Sequence, residues 1–149
     1  MKARYDDLDK DIINTPPIHT LTWWQTEIHQ LAIEKGWWPH IVVGDKVEAA
    51  HKILDGSVAI PTSVIIEKLC LIHAEVSEAL EFLRYEKMSL DKIQYMGGSK
   101  PEGFSIELAD VVIRILDLCC ALDINIEEAI RVKHEYNKTR PYRHGNKTA

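Results

Sequence analysis

Cysteine is scarce, glycine is thinly spread and no apolar run is long, and each shortage removes a class of protein. The three cysteines, Cys70, Cys119 and Cys120, fall in apolar stretches without framework spacing. An odd count so placed reads as reduced packing thiols of a cytoplasmic protein, not as a disulfide scaffold. No stretch approaches the ~18 apolar residues of a membrane-spanning helix. The opening MKARYDDLDKDIINTPP carries charge where a signal peptide has an apolar run. GGSKPEG at 97–103 lacks the order GxxxxGK[ST], which excludes a P-loop, although Lys100 there has the charge to close over phosphates. An HD dyad is missing, and EAAH at 48–51 is a single ExxH where a di-iron bundle uses two. The net charge of −5 argues against coating a nucleic acid polymer, but not against a small nucleotide whose charge a metal ion meets. Repeats, low-complexity tracts and a strand ladder are absent from the pattern as well.

What remains is helical periodicity. A chain of 149 residues suits one domain with a core of its own. Residues 1–20, polar and punctuated by Pro16-Pro17, read as an irregular arm, and 21–149 as a single all-α domain. Trp24, Ile28, Leu31 and Ala32 predict a helix over 22–35, stopped by Gly36 and Pro39. Residues 39–60 are undecided, with DKVEAAHKILDG suggesting a short helix that ends at Gly56. Val64, Ile65, Leu69, Ile72, Val76, Leu80 and Leu83 predict a long helix over 62–86. Residues 87–103 read as a loop. A third helix follows over 105–123, and a fourth runs from an N-cap at Asn125 to about Arg140, where Pro141 ends it. The sum is a bundle of the four-helix kind.

The third helix, SIELADVVIRILDLCCALD, raises a question. Val111, Val112, Ile113, Ile115, Leu116 and Leu118 cover most of its circumference, yet it carries Glu107, Asp110, Arg114 and Asp117 in a stripe about 80° wide. Charge on a helix with little reason to face water needs partners. The long helix has its own acidic stripe of Glu67, Glu75, Glu78 and Glu81 within about 120°. In both helices two carboxylates stand three residues apart, Glu75 with Glu78 and Glu107 with Asp110. If the helices run antiparallel, four carboxylates converge, a costly arrangement without protons or a cation. Oxygen donors without His or Cys suit Mg²⁺ or Mn²⁺. On the last helix Ile126, Ile130, Lys133, Asn137 and Arg140 share an arc of about 80° that becomes cationic toward its end, as contact with phosphate requires.

The set ExxE at 75–78, ExxD at 107–110 and KHEYNKTRPYRHGNK at 133–147 resembles the MazG-like all-α nucleoside triphosphate pyrophosphohydrolases over roughly residues 61–147. The resemblance implies Mg²⁺-dependent cleavage between the α- and β-phosphates, giving a nucleoside monophosphate and pyrophosphate, in a homodimer or homotetramer. It implies Glu75, Glu78, Glu107 and Asp110 as metal ligands and Lys133, Asn137 and Arg140 as phosphate contacts. Many members have a further Glu directly before the first motif Glu, and here that position is Ala74. The general base is then expected among the motif carboxylates, Glu78 first and Glu75 next.

Plainer readings stand beside these. Glu75 and Glu78 alone would be a solvated face, and only the second charged helix changes the balance. Arg114 is expected to bridge to Asp110 or Asp117. His73 and His134 read as packed or surface side chains. In each of the pairs Trp23-Trp24 and Trp37-Trp38, one indole is expected in the core and the other at an interface or on a base, with Trp24 the candidate for the base. The rival function is a non-catalytic helical module that binds a metal or nucleotide for regulation. Pyrophosphate release from a nucleotide panel separates the two.

Overall fold

The computed structural model describes residues 20–38, 40–43, 46–49, 60–85 and 89–142. The expected arm over 1–20, apart from Thr20, the stretch containing His51 and Gly56, and the tail beyond Tyr142 lie outside these residues. Among the described residues four helices carry the fold: α1 (Leu21–Glu34), α2 (Thr62–Tyr85), α3 (Phe104–Ala121) and α4 (Ile126–Lys138). They are joined by two antiparallel hairpins, β1 (His40–Val43) with β2 (Lys46–Ala49), and β3 (Gln94–Met96) with β4 (Lys100–Glu102). The described residues are thus mostly helical, as an all-α domain requires, with small hairpins in the connections. Residues 40–43 pair with 46–49 as strands, His40 opposite Ala49 and Val43 opposite Lys46, so 46–49 do not begin the expected short helix. The expected loop over 87–103 contains the second hairpin.

The helix ends follow from local chemistry. Thr20 caps α1, its side chain accepting from the Trp23 amide at 3.1 Å. Gly36 ends the helix at φ +78°, a left-handed conformation that glycine adopts without Cβ strain. The Gly36 amide donates to Ile33 O and the Trp37 amide to Ala32 O, each at 2.9 Å, which satisfies two carbonyls the helix would leave bare. Asn125 accepts from the Glu128 amide at 2.9 Å and starts α4 as its sequence promised.

Contacts give the directions of the helices. Lys68, Glu75 and Glu78 ascend α2 while their neighbours Asp117, Arg114 and Glu107 descend α3, so the two run antiparallel. Gln25 reaches Ile124 O and His29 reaches Asp117, so α1 also opposes α3. The core gathers where α1, α2 and α3 meet near the α3 C-terminus. Trp38, Ile60, Leu118 and Ala121 are buried there with Ile33, Val64, Ile65 and Ile72 packed around them. Truncating Trp38, which is 2% exposed, should cost about 3–5 kcal/mol.

Much apolar surface stays outside. Ile66, Leu69, Val76, Leu80 and Leu83 are all exposed. At 100° per residue they form one stripe about 100° wide, on the side of α2 away from Glu75 and Glu78. Val112 and Ile113 of α3, expected to be covered, are exposed too. α4 has no buried residue and leans mainly on α1. Cys119 is buried and Cys120 half-buried, whereas Cys70 is exposed. His73 and His134 are at the surface. Of the tryptophan pairs, Trp38 is buried and Trp37 exposed as expected, but Trp23 and Trp24 are both exposed, stacked edge to face at 4.8 Å. No helix among the described residues is long and apolar enough to cross a membrane.

Candidate metal centre

Antiparallel packing of α2 on α3 brings Glu75, Glu78 and Glu107 together, each offering a carboxylate oxygen within 4.8 Å of the others. Glu75 is buried, Glu107 half-buried and Glu78 exposed, so the group opens to solvent on one side. Asp110 is half-buried and stands outside this trio, although the field of Glu75 reaches it. Glu67 and Glu81, on the same acidic stripe of α2, are exposed and not part of the group.

The one cation bonded to the cluster among the described residues is Arg114. Its Nε and Nη2 both donate to Glu75 Oε1, at 2.6 and 2.5 Å. The expected partners Asp110 and Asp117 are thereby corrected. One turn beyond Asp110 the α3 stripe faces α2, and Glu75 is the carboxylate within reach there. Glu107 keeps its proton more readily than an ordinary glutamate, because burial disfavours its charge and Glu78, Asp110 and Glu75 add repulsion. Asp110 moves the same way through burial and Glu75, opposed by Arg114 and Lys100. Burial and mutual repulsion thus act on the same two carboxyl groups, with Arg114 and Lys100 opposing them.

Asp117 belongs to another construction. Buried at 7% exposure, its Oδ1 accepts from His29 Nδ1 at 2.7 Å and from Trp38 Nε1 at 2.8 Å, while Lys68 Nζ stands 3.4 Å from Oδ2. Lys68 also donates to Trp37 O at 2.9 Å and lies 4.0 Å over the Trp38 ring. The α3 stripe thus serves two sites: Glu107, Asp110 and Arg114 border the acidic group, and Asp117 ties α1 and α2 to α3. His29 and Lys68 were not foreseen. Their signal was a polar residue at an apolar helical position, His29 one residue after Ile28 and Lys68 inside VIIEKLCLI.

Trp24 lines a groove of about 780 Å³ between α1 and α3, together with Leu31, Trp37, Val112, Asp110 and Arg114. Lys133 and Asn137 belong to α4, and Arg140 follows two residues past its end. Lys133 and Arg140 sit over the Tyr136 ring at 5.1 and 5.9 Å, and α4 contacts chiefly α1. Among the described residues, Lys133, Asn137 and Arg140 form no hydrogen bond or ion pair with Glu75, Glu78, Glu107 or Asp110. No protein-family model, curated protein or solved structure matches the chain.

Proposed function

We propose that the chain is a divalent-metal-dependent nucleoside triphosphate pyrophosphohydrolase of the MazG-like all-α kind, cleaving between the α- and β-phosphates. The observation that carries this reading is the approach of Glu75, Glu78 and Glu107 to within 4.8 Å. Three hard oxygen donors, with no imidazole or thiolate among them, fit Mg²⁺ or Mn²⁺ better than a softer ion. Glu75, Glu78 and Glu107 would hold it, with Asp110 of the same motif beside them. Such an ion offsets charge on phosphate oxygens and makes water a better acid.

The chain's own residues divide the remaining work. Arg114 fixes Glu75 in place and neutralises part of its charge. Glu78 is exposed and makes no ion pair among the described residues, so it is the better base for the attacking water, and Glu75 is the poorer one. Trp24 offers an aromatic face in the groove that Asp110 and Arg114 border, which suits a nucleobase. Lys133, Asn137 and Arg140 are the phosphate contacts that the family resemblance implies. The exposed apolar stripe of α2 supports a homodimer or homotetramer in which a second copy covers it.

The test is pyrophosphate release from a panel of ribo- and deoxynucleoside triphosphates with Mg²⁺, and again with chelator. Monophosphate and pyrophosphate are expected with Mg²⁺ alone. Diphosphate with orthophosphate would exclude the cleavage site, and nucleotide binding without turnover would favour the regulatory module for which Ala74 speaks. Light scattering at micromolar concentration checks the assembly, and a fully active monomer would remove it.

A further inference from the structure

The apolar stripe of α2 has a period as well as a face. Ile66, Leu69, Val76, Leu80 and Leu83 are between 47% and 56% exposed, and His73, which completes their spacing, is exposed too. Steps of three and four alternate without a fault from 66 through 69, 73, 76 and 80 to 83, the a and d positions of a heptad pattern. The exposed stripe keeps to two positions in seven, the narrow pattern of a seam between two helices. On one flank Ile65, Ile72 and Ala79 turn inward to the core. On the other stand Cys70 and Ser77, exposed and small enough for close approach, with charge only toward the ends, at Glu67 and Arg84. Neither of these makes an ion pair among the described residues. They are 17 residues apart in one helix, about 25 Å at 1.5 Å per residue, so they do not meet within a chain.

We propose that α2 pairs with α2 of a second copy as an antiparallel two-helix seam, held in register by reciprocal ion pairs of Arg84 with Glu67 and by His73 at its centre. A twofold axis between residues 74 and 75 sets Ile66 opposite Leu83, Leu69 opposite Leu80 and His73 opposite Val76, so each apolar side chain but Val76 meets another. It also brings Arg84 of each copy level with Glu67 of the other, on the same side of the seam. Parallel pairing leaves these charges at opposite ends and aligns the two helix dipoles unfavourably. A single polar residue in an apolar seam fixes register at a cost in strength, which is the part His73 plays. The assignment rests on the homodimer of the reading above and names its face and register. It does not depend on the metal chemistry.

Sedimentation equilibrium of the full-length chain over a range of micromolar concentrations tests this, with circular dichroism to follow helix content. Wild type should be a dimer, or a tetramer that loses one of its interfaces with the variants below. Val76→Asp puts a charge into the seam and should weaken association about a hundredfold or more, with helix content unchanged because Val76 is exposed in the single chain. His73→Leu should tighten association about tenfold, since it replaces the polar layer by an apolar one. Arg84→Glu turns two attractive pairs into repulsive ones and should weaken association about fivefold. Adding Glu67→Arg to it should restore wild-type strength, and only contact between copies gives that rescue. If Val76→Asp loses helix content, the charge exchange decides alone. A charge-exchanged chain no tighter than Arg84→Glu overturns the antiparallel register. A dimer indifferent to both Val76→Asp and His73→Leu lies on another face and overturns the seam while leaving the homodimer standing. A wild-type monomer overturns seam and homodimer together, gives the stripe to a different partner, and leaves the pyrophosphate assay to judge the chemistry.

Discussion

Two groups of charges lie along the same α2–α3 seam and are built in opposite ways. At Asp117 a buried carboxylate meets donors from His29 and Trp38 and the ammonium of Lys68, so negative charge is matched by partners from three segments. At Glu75, Glu78 and Glu107 three carboxylates crowd together, and Arg114 bonds only the first. Burial accompanies matching: Asp117 and Lys68 are almost closed off, whereas Glu78 faces solvent. A satisfied buried charge stabilises the position of elements, and an unsatisfied open one stores repulsion that a ligand can relieve. The contrast marks the first group as a structural tie and leaves the second as the one that fits the proposed metal site, and mutation can break it.

The largest effect is expected at the matched group. Asp117→Ala leaves Lys68 buried without its carboxylate and removes the acceptor of His29 Nδ1 and Trp38 Nε1. Unfolding by urea should show a loss of about 3–5 kcal/mol. Mg²⁺ should not restore it, because the lost partner is internal. A loss below about 1 kcal/mol would mean that water replaces the carboxylate and that the group is not the clamp described. Arg114→Leu comes next. It strips the cation from buried Glu75 and should cost about 2–3 kcal/mol in metal-free protein, less than a fully enclosed pair because Arg114 is itself partly exposed. Here Mg²⁺ should recover part of the loss by supplying charge to the same carboxylate. Melts of both variants with and without Mg²⁺ therefore test the comparison directly, and equal rescue of the two would erase it.

The two groups also differ in how far the sequence announced them. ExxE and ExxD each place carboxylates at helical neighbours, so one local rule and antiparallel packing suffice to bring Glu75 and Glu78 to Glu107. The partners of Asp117 are 88, 79 and 49 residues away, and no period links them. The same limit explains the helices. Their existence follows from spacing, but spacing does not say which apolar face is covered, and the exposed stripe of α2 reads in sequence just like a core stripe. The hairpin of β1 and β2 had a signal, β-branched residues on either side of Gly44-Asp45, which the helix-forming run after it outweighed. Asp110 shows register working against a motif: it has the ExxD position, yet the trio closes without it.

Asp110→Asn tests that last point. The change keeps volume and removes a charge that burial and Glu75 disfavour, so metal-free stability should be unchanged or rise by up to about 1 kcal/mol. The extra melting temperature gained with Mg²⁺ should shrink, since that gain depends on affinity for the native state. Turnover at saturating nucleotide should fall by about two orders of magnitude if Asp110 joins the site with metal bound. A variant that melts early yet keeps near-normal turnover and Mg²⁺ response would make Asp110 structural and leave the chemistry to the trio.

The smallest effect is one of pH, and its sign is fixed by the crowding. Burial first, then neighbouring carboxylates, raises the folded-state pKa of Glu107 and of Asp110 above ordinary values. A carboxyl raised in this way binds its proton more tightly when folded. Its stabilising contribution is full below the unfolded pKa and is lost as pH rises through the folded value. Wild-type protein in chelator should thus carry a penalty at neutral pH that fades as pH falls into the carboxylate range. A Glu107→Gln, Asp110→Asn double variant has no such penalty to lose. It should melt above wild type at pH 7, and the gap should close on acidification. With Mg²⁺ present the order at pH 7 should reverse, because only wild type gains from the ion, and that advantage should fade on acidification as protons compete for the same oxygens. Should the double variant melt below wild type at neutral pH in chelator, the carboxylates would be stabilising one another's surroundings, and the open group would be a second structural clamp like the one at Asp117.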